Sequence, residues 1–181
     1  MNTPDKRTLR RYIRAEIAKL SAEEKQALSS QIFSKLSSFD KICNASIVAL
    51  FTSLPDEPQT ASFIELLLDK NKQVVIPRIE GNEMNFYDIS EGVKEGSFGI
   101  MEPVANTPVE PSKIDVMIVP GVAFTLEGAR CGRGKGFYDK YLSREGFRAY
   151  TIGVCYPCQI VENLTTEAHD KMLDCVCVIS I

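Results

Sequence analysis

Short apolar runs alternate with amphipathic segments along most of this chain, and this alternation limits the possible folds. The runs are SIVALF, QVVIP, IDVMIVPG, AYTIGVCY and DCVCVISI, with a weaker one at MNFYDI. Strands that are apolar throughout are typical of a sheet buried on both faces. Because helical segments separate them, the sequence predicts an α/β fold. We expect one domain over residues 1–181, with a mostly parallel central sheet covered by helices on both faces.

Two helices are predicted before the first strand. Thr3 and Pro4 have the residue types of an N-cap and first helical turn, and apolar residues then recur at helical spacing over 9–20. Ser21 and Glu24 have the spacing of a capping box for the second helix. Further helices are predicted over 60–69 and 137–146, with a short helix or turn over 165–172. The region 89–113 is rich in Gly and Pro, and its sequence is equally compatible with a mobile flap and a plain connection.

The overall composition is that of an ordinary globular protein. The chain has 181 residues, is 44% hydrophobic and 25% charged, and has a net charge of −3. This balance argues against nucleic acid as the main partner. The start, MNTPDKRTLRR, lacks the apolar region of a signal peptide, and no apolar run approaches membrane-spanning length. We therefore expect a cytoplasmic protein that does not associate with membranes, whose six cysteines do not form a disulfide framework.

The stretch GARCGRGKGFYDKYL, residues 128–142, combines glycines with positive charge just before a predicted helix. Its glycines allow close approach of the backbone to an anion, and a helix N-terminus adds free N–H groups. Arg130, Arg133 and Lys135 supply full charges, and Asp139 follows as a carboxylate able to hold Mg²⁺ beside phosphates. The spacing matches neither Walker A nor the dinucleotide fingerprint. The residues therefore favour a nucleotide–Mg²⁺ site, against the alternative of a solvated surface loop.

This stretch, preceded by DVMIVPGVAF, resembles the signature of the 5-formyltetrahydrofolate cyclo-ligases, also called 5,10-methenyltetrahydrofolate synthetases. The resemblance extends over most of the chain in the same order. Its other parts are the KRTLR start, LFTSLPDEPQT, VIPRIEGNEMNFY, FGIMEP, Gln159 and the pair His169-Asp170. The chain therefore resembles the family along its length, and not only in one glycine motif.

The resemblance implies a single three-layer α/β domain with a mostly parallel central sheet flanked by helices in a Rossmann-like topology. It also implies an enzyme, an ATP- and Mg²⁺-dependent ligase. It implies cyclisation of 5-formyltetrahydrofolate to 5,10-methenyltetrahydrofolate, with release of ADP and phosphate. The formyl oxygen would be phosphorylated, and N10 would then attack the formyl carbon. The implied partner is this folate, with or without a polyglutamate tail, and the protein is expected to be a monomer or weak homodimer.

The resemblance also implies roles for individual residues. The two ATP-contacting runs match Lys6, Arg7, Thr8, Leu9 and Arg10, and Arg130, Cys131, Gly132, Arg133, Gly134, Lys135, Gly136, Phe137 and Tyr138. The catalytic candidates among these are Lys135, Arg133 and Tyr138. Folate contacts are implied for Thr52, Glu57, Arg78, Met84 and Phe86, and Mg²⁺ contacts for Asp139 and Asp170.

Three residues depart from the family pattern. Thr125 stands where an aspartate is common, which removes a carboxylate near the glycine loop. Phe137 replaces a tyrosine, so a hydroxyl at this position is not essential here. Cys131 replaces an aliphatic residue.

Two alternatives come from other classes of protein. Cys155, Cys158, Cys175 and Cys177 lie near one another in sequence, and four thiols suggest a structural zinc site or a redox switch. Buried cysteines that act as small apolar residues are the plainer interpretation. The other alternative is a regulatory module that binds a nucleotide or sugar phosphate without turning over folate.

Overall fold

A six-stranded sheet forms the centre of the molecule. The structure is a computed structural model, and it describes residues 5–96 and 99–179. The helices are α1 (Lys6–Ile17), α2 (Ala22–Ser37), α3 (Asp40–Asn44), α4 (Ala61–Asp69) and α5 (Phe137–Leu142). The strands of this sheet are β1 (Ile47–Ala49), β2 (Gln73–Glu80), β3 (Glu83–Asp88), β6 (Val116–Val119), β9 (Tyr150–Val154) and β10 (Cys175–Cys177). Two small pairs complete the fold: β4 (Val93–Glu95) with β5 (Met101–Pro103), and β7 (Ala123–Phe124) with β8 (Arg130–Cys131).

The strand order of the central sheet is β10-β9-β6-β1-β2-β3. Numbered along the chain within this sheet, the order is 3-2-1-4-5-6, that of doubly wound nucleotide-binding folds. All neighbours are parallel except β2 and β3, which form an antiparallel hairpin with Val75 opposite Asp88. The predicted α/β class with a mostly parallel sheet is confirmed.

Apolar side chains cover both faces of the sheet. On one face Val48, Val74, Ile118 and Ile152 pack with α1, α2 and α4. On the other face Val75, Met117 and Val119 pack with α5 and the segment around Leu173. Alternation along each strand sends successive side chains to opposite faces, which is why these strands are apolar throughout.

Local capping explains where the first helices begin. Asp5 caps α1, and its carboxylate accepts hydrogen bonds from the amides of Arg7 and Thr8 at 2.9 and 3.1 Å. The predicted start at Thr3 and Pro4 lies outside the described residues. The predicted capping box of α2 is present, with Ser21 and Glu24 bonded reciprocally at 2.7 and 3.1 Å.

One later helix ends earlier than predicted, and two segments that the sequence left open now have a defined structure. Helix α5 ends at Leu142 rather than Gly146, because the amides of Ser143, Arg144 and Phe147 make i→i−3 bonds in place of the helical pattern. The region 89–113, for which a flap and a connection were both open, contains the β4–β5 hairpin and a short 3₁₀ turn at Pro111–Lys113. Segment 165–172 forms a turn, one of its two predicted forms.

The strand order determines where a ligand site is expected. In doubly wound sheets a crevice opens at the carboxyl ends of the strands, where successive connections leave in opposite directions. Here that point lies between β1, which is followed by Leu50 and Phe51, and β6, which is followed by Pro120. In the part of the chain that the structure describes, no helix combines the length and apolar character needed to cross a membrane.

Candidate active site

A cleft of about 710 Å³ opens at this point of the sheet. Phe51 and Thr52 enter it from the end of β1, and Pro120 and Gly121 from the end of β6. The cleft collects most of the predicted site residues. Those that line it are Lys6, Arg10, Thr52, Glu57, Met84, Arg130, all of 132–139, and Asp170. Residues that are far apart in sequence, from Lys6 to Asp170, thus line a single cavity.

The glycine loop, residues 130–138, forms one wall of the cleft. Gly134 and Gly136 have φ values of 106° and 68°, in the left-handed region that favours glycine. Arg10 of α1 donates from Nε to the carbonyl oxygen of Gly132 at 2.7 Å, which ties the two predicted nucleotide-binding runs together. Helix α5 starts directly after Gly136 but has six residues only. Because a short helix has a weak dipole, the side-chain cations supply most of the positive potential.

Arg133 lies between two carboxylates of residues 52–57, the loop predicted to contact substrate and therefore called the substrate loop. Its Nη1 and Nη2 donate to the two oxygens of Asp56 at 3.1 and 2.6 Å, and its Nε donates to Oε1 of Glu57 at 2.9 Å. This fork is the bidentate geometry in which arginine pairs best with a carboxylate. Arg133 therefore connects the glycine loop to the substrate loop.

Glu57 is a buried carboxyl with few donors around it. It is 4% exposed, and its second oxygen accepts the Leu54 amide at 3.0 Å. Burial raises the pKa of Glu57, and the charge and hydrogen bonds of Arg133 act against this rise without cancelling it. Glu57 can therefore accept a hydrogen bond from a ligand N–H group, and its pKa depends on the charges that lie beside it.

Lys6 is held by two acids near the other end of the chain. Its Nζ lies 2.7 Å from Oδ2 of Asp170 and 2.8 Å from Oε1 of Glu167. Burial alone would raise the pKa of Asp170, but hydrogen bonds from Lys6 and the Glu167 amide, with the Lys6 charge, hold it below its ordinary value. Asp170 is therefore ionised at neutral pH.

Arg130 and Asp139 form a buried ion pair at the base of the cleft. Nη2 of Arg130 donates to Oδ2 of Asp139 at 2.9 Å, and the two side chains are 3% and 12% exposed. Removal of one partner from a buried pair costs about 3 to 5 kcal/mol, because the other charge is left unpaired. This pair therefore has a structural role whatever else Asp139 contacts.

Tyr138 extends from the start of α5 beneath the glycine loop. Its hydroxyl is buried and has no hydrogen-bond partner among the described residues. Its ring packs edge-on against Phe86 at 6.5 Å, and the Arg130 guanidinium lies 5.6 Å from the ring centre. A buried polar atom without a partner, in the lining of a cleft, is a position where a ligand atom is expected to bind.

Lys135 is the exposed cation of the cleft. Among the described residues no carboxylate lies within ion-pair distance of its ammonium group, in contrast to those of Lys6, Arg130 and Arg133. Its charge is therefore available to a bound anion.

Six predicted contacts lie away from the cleft lining. They are Arg7, Thr8, Leu9, Cys131, Arg78 and Phe86. Leu9 and Cys131 are core residues, and Thr8 donates to the Asp5 carboxylate at 2.7 Å. Arg78 instead donates to the carbonyl oxygens of Pro103 and Ala105 at 3.1 and 2.9 Å and so fastens the β4–β5 hairpin to β2. Phe86 is fully buried and supports Tyr138 from below.

The cleft also has an apolar wall that sequence reasoning missed. Pro77 and Ile79 of β2 form this wall with Ile100, and Glu102 of β5 adds a carboxylate beside them. Ile79 was visible only as one member of a strand, and the sequence does not show which face of β2 meets the cleft. Glu167 was missed for a different reason, since its role depends on Lys6, 161 residues earlier.

The cysteines do not form a metal site within residues 5–96 and 99–179. No group of three or more His, Cys, Asp or Glu residues there has the arrangement of a metal cluster. All six thiols are free. Burial raises the pKa of Cys155, Cys158, Cys175 and Cys177, which disfavours the reactive thiolate. The described residues therefore give no support to the zinc alternative, and burial of these four thiols fits the plainer interpretation of cysteines that pack as small apolar side chains.

Comparison with known proteins gives the same family throughout. A sequence profile of the 5-formyltetrahydrofolate cyclo-ligase family matches residues 2–179. The chain belongs to this family. It is 32% identical to the 5-formyltetrahydrofolate cyclo-ligase of Haemophilus influenzae, over 96% of this chain and 97% of the relative. It is 28% identical to the mouse cyclo-ligase, over 93% and 91% of the two chains.

Solved structures of the family share the fold. The chain superposes on the Aquifex aeolicus 5,10-methenyltetrahydrofolate synthetase with a TM-score of 0.85, at 36% identity, over 96% of this chain and 89% of that one. The Mycoplasma pneumoniae 5,10-methenyltetrahydrofolate synthetase gives 0.80 at 29% identity, over 96% and 98%. The predicted resemblance is confirmed, and with it the prediction that the chain is a cyclo-ligase family enzyme, a ligase.

The departures from the family pattern have local explanations. Thr125 is buried, and its hydroxyl accepts the Ala129 amide at 3.3 Å, so it stabilises the β7–β8 turn in place of a carboxylate. Arg130 pairs with Asp139 instead. Phe137 lines the cleft with a ring that needs no hydrogen-bond partner.

The two acids expected to hold Mg²⁺ fit a shared site with phosphate. Among the described residues, Oδ1 of Asp139 accepts one hydrogen bond, from the Lys171 amide at 3.3 Å, and Oδ1 of Asp170 lies 3.8 Å from Nε2 of His169. Each carboxylate thus keeps one lightly engaged oxygen in the same cleft. Mg²⁺ is commonly bound through one or two carboxylates together with substrate phosphates, so a complete protein cage is not required.

Proposed function

We propose that this protein catalyses the ATP- and Mg²⁺-dependent cyclisation of 5-formyltetrahydrofolate to 5,10-methenyltetrahydrofolate, with release of ADP and phosphate. The observation that carries the proposal is the composition of the cleft in a member of the cyclo-ligase family. A cationic glycine loop and an apolar wall with buried Glu57 face the same cavity. The first suits a triphosphate and the second a pterin ring. We treat residues 1–181 as one domain serving this reaction.

The chemistry explains why ATP is required. A formyl group on N5 is an amide, and its oxygen is a poor leaving group. Transfer of the γ-phosphoryl group to that oxygen releases ADP and gives an imidoyl phosphate. N10 then attacks the formyl carbon and loses its proton, and the C–O bond breaks as phosphate departs. The oxygen of the formyl group therefore leaves in the phosphate.

The protein contributes mainly position and charge, as is general in phosphoryl transfer. Lys135 is the best candidate to stabilise the transferring group, because it is exposed to the cleft and free of acidic partners among the described residues. Asp139 and Asp170 would hold Mg²⁺, which neutralises phosphate charge when bound. Glu57 and Thr52 would contact the pterin, with Ile79 and Met84 against its apolar surface.

The test is a spectroscopic assay of the purified protein with 5-formyltetrahydrofolate, with and without ATP and Mg²⁺. We expect methenyltetrahydrofolate absorbance only when both are present. Lys135→Ala should lower turnover by about 10²- to 10³-fold, because one charge-stabilising donor is lost. The matched control is Lys140→Ala, which removes an exposed lysine of α5 that does not line the cleft.

Each outcome of the assay has a clear meaning. Nucleotide binding without product would contradict the proposed reaction and favour the alternative of a binding module. Product formed equally well by Lys135→Ala would contradict the role of that lysine while leaving the reaction in place. Asp139 is better tested as Asp139→Asn, with a folding control, because its ion pair with Arg130 is buried.

A further inference from the structure

We propose that Asp56 is a positioning residue, which fixes the Arg133 guanidinium between the substrate loop and the glycine loop and so couples the binding of the two substrates. The proposal rests on the proposed function, since it assumes a folate beside Glu57 and a nucleotide at the glycine loop. Asp56 itself does not line the cleft. It acts through Arg133, which does.

The hydrogen bonds leave Arg133 little freedom. Asp56 holds Nη1 and Nη2 at 3.1 and 2.6 Å, while Oε1 of Glu57 lies 2.9 Å from Nε and 2.8 Å from Nη2. A guanidinium has five N–H donors. Hydrogen bonds to the two carboxylates engage one N–H each on Nε, Nη1 and Nη2, so one N–H on Nη1 and one on Nη2 remain for ligand oxygens. Because Asp56 holds both terminal nitrogens, it determines the direction in which these remaining N–H groups face.

Both partners are sheltered enough for the pair to persist. The side chains of Arg133 and Asp56 are each 30% exposed, and that of Glu57 is 5% exposed. Burial raises the pKa of Asp56, but hydrogen bonding and charge from Arg133, with a smaller effect of Arg14, hold it below its ordinary value. Asp56 is thus ionised at neutral pH, and without it the long Arg133 side chain would keep only Glu57 as an anchor.

The same contacts are the physical link between the two loops. Among side-chain hydrogen bonds of the described residues, those from Arg133 to Asp56 and Glu57 alone join residues 52–57 to residues 130–138. A ligand that moves Glu57 must alter the Arg133 pair, and a phosphate that binds Arg133 must alter Glu57. Such a shared element gives each ligand an effect on the affinity of the other, by the same factor in both directions.

The experiment measures this coupling directly. The affinity of a non-hydrolysable ATP analogue with Mg²⁺ is determined by calorimetry with and without saturating 5-formyltetrahydrofolate, alongside kcat and KM in the absorbance assay. We expect a coupling factor in the wild type within the usual range of about 5 to 150. Asp56→Ala should bring it close to 1 and raise KM for both substrates, and Asp56→Glu should restore part of the coupling.

A double-mutant cycle separates positioning from a general structural role. If Asp56 acts through Arg133, the variant that combines Asp56→Ala with Arg133→Ala will be no worse than Arg133→Ala alone. The matched control is Arg14→Ala, which removes the other cation acting on Asp56 and should leave the coupling factor unchanged. If Asp56→Ala does not fold, the isosteric Asp56→Asn carries the test.

Two results would overturn the proposal. One is a coupling factor that stays at its wild-type value when Asp56 is replaced. The other is an additive double-mutant cycle, which would mean that Asp56 acts independently of Arg133. Failure of the proposed function is distinguishable, because it would appear as absence of methenyltetrahydrofolate from the wild-type protein itself.

Discussion

At the scale of single residues, the Tyr138 hydroxyl is the most informative atom of the cleft. Burial raises the pKa of Tyr138, the nearby Glu57 charge adds to the rise, and Arg130 opposes it. The hydroxyl therefore stays protonated and can donate a hydrogen bond, but it cannot serve as a base near neutral pH. A buried hydroxyl without a partner costs about 1 to 3 kcal/mol of stability. Such a cost is expected where a ligand supplies the missing partner.

Tyr138→Phe should therefore separate stability from activity. We expect the free energy of unfolding to stay the same or to rise by up to about 2 kcal/mol, since the unpartnered hydroxyl is removed. Turnover should fall about a hundredfold if that hydroxyl contacts the reacting groups. Urea unfolding and the absorbance assay measure the two effects.

Tyr141→Phe is the matched control for this prediction. Its hydroxyl is also buried without a partner among the described residues, but Tyr141 does not line the cleft. The same stability change with unaltered turnover is expected. A loss of turnover in both variants would show that packing, rather than a ligand contact, explains the result.

At this scale, the role of a residue could be predicted from sequence only when the groups that act with it lie close to it along the chain. The glycine loop was predictable because its charges and glycines are adjacent in sequence, and residues 132–139 all reach the cleft. The contacts of Arg78 were not predictable, because its partners are the carbonyl groups of residues 103 and 105, whose position depends on tertiary packing. The Asp56 contact was missed for the same reason.

At the scale of elements, the β7–β8 turn is fixed by a close approach of two backbones. Gly128 has a φ of 98°, and its carbonyl oxygen accepts the Leu173 amide at 2.9 Å. A Cβ built on Gly128 would lie 2.2 Å from the Leu173 carbonyl oxygen. The turn and the segment before β10 therefore fit together only with glycine at this position.

Gly128→Ala should destabilise the protein by about 2 to 4 kcal/mol, because it combines backbone strain with a clash against the Leu173 carbonyl oxygen. The matched control is Gly81→Ala, at a φ of 63° with no atom within 4 Å of the added Cβ. Strain alone should cost about 1 kcal/mol there. Urea unfolding checks both values, and equal losses would contradict the role of the clash.

Prediction of elements succeeded where local chemistry decides the structure. The capping box of α2 is set by two side chains three residues apart, and it forms as expected. The end of α5 was misplaced because the residues after Leu142 are compatible with a helix, and the turn there depends on how the chain joins β9. The β4–β5 hairpin pairs short, irregular segments without clear alternation, so the sequence left its region open.

At the scale of the whole molecule, helix α1 is fastened to the segment before β10 by Lys6, Asp170 and Glu167. The pKa of Asp170 is lowered in the folded protein, so the pair adds stability above pH 3.8, the ordinary value of the carboxyl, and that stability is lost as the pH falls through the folded pKa. Hydrogen bonds and charge from Asp170 and Glu167 raise the pKa of Lys6 despite its burial. The stability that the pair adds is therefore lost at alkaline pH only above 10.5, the ordinary value of the lysine. The link is therefore intact across the physiological range.

Asp170→Asn should lower the free energy of unfolding by about 1 to 2 kcal/mol at pH 7. The difference from the wild type should shrink as the pH falls below 3.8, because the wild-type carboxyl then becomes protonated too. Urea unfolding at a series of pH values measures this. Asp69→Asn, at an exposed acid with no ion pair in the described part of the chain, should follow the wild type throughout. A difference that persists to pH 2 would contradict the role of charge.

For the whole fold, the class and the mostly parallel, Rossmann-like sheet were predicted correctly, but the β2–β3 hairpin and the position of the cleft were not predicted. Apolar strands between helices indicate a parallel sheet, and this is what forms. β3 pairs antiparallel to β2 at the sheet edge because only Gly81 and Asn82 separate the two strands, a two-residue connection typical of a β-hairpin. The position of the cleft became clear only once β1 and β6 were known to be neighbours.

The link between Lys6 and Asp170 also sets the order of events during synthesis. The two residues are 164 positions apart, so the first helix leaves the ribosome long before its partners are made. At translation rates of about 5 to 20 residues per second, that interval is roughly 8 to 33 seconds. A nascent chain can form α1 and the first strands in this time, but it has no complete cleft. The lining of the cleft is therefore incomplete until the segment that carries Asp170 has been synthesised.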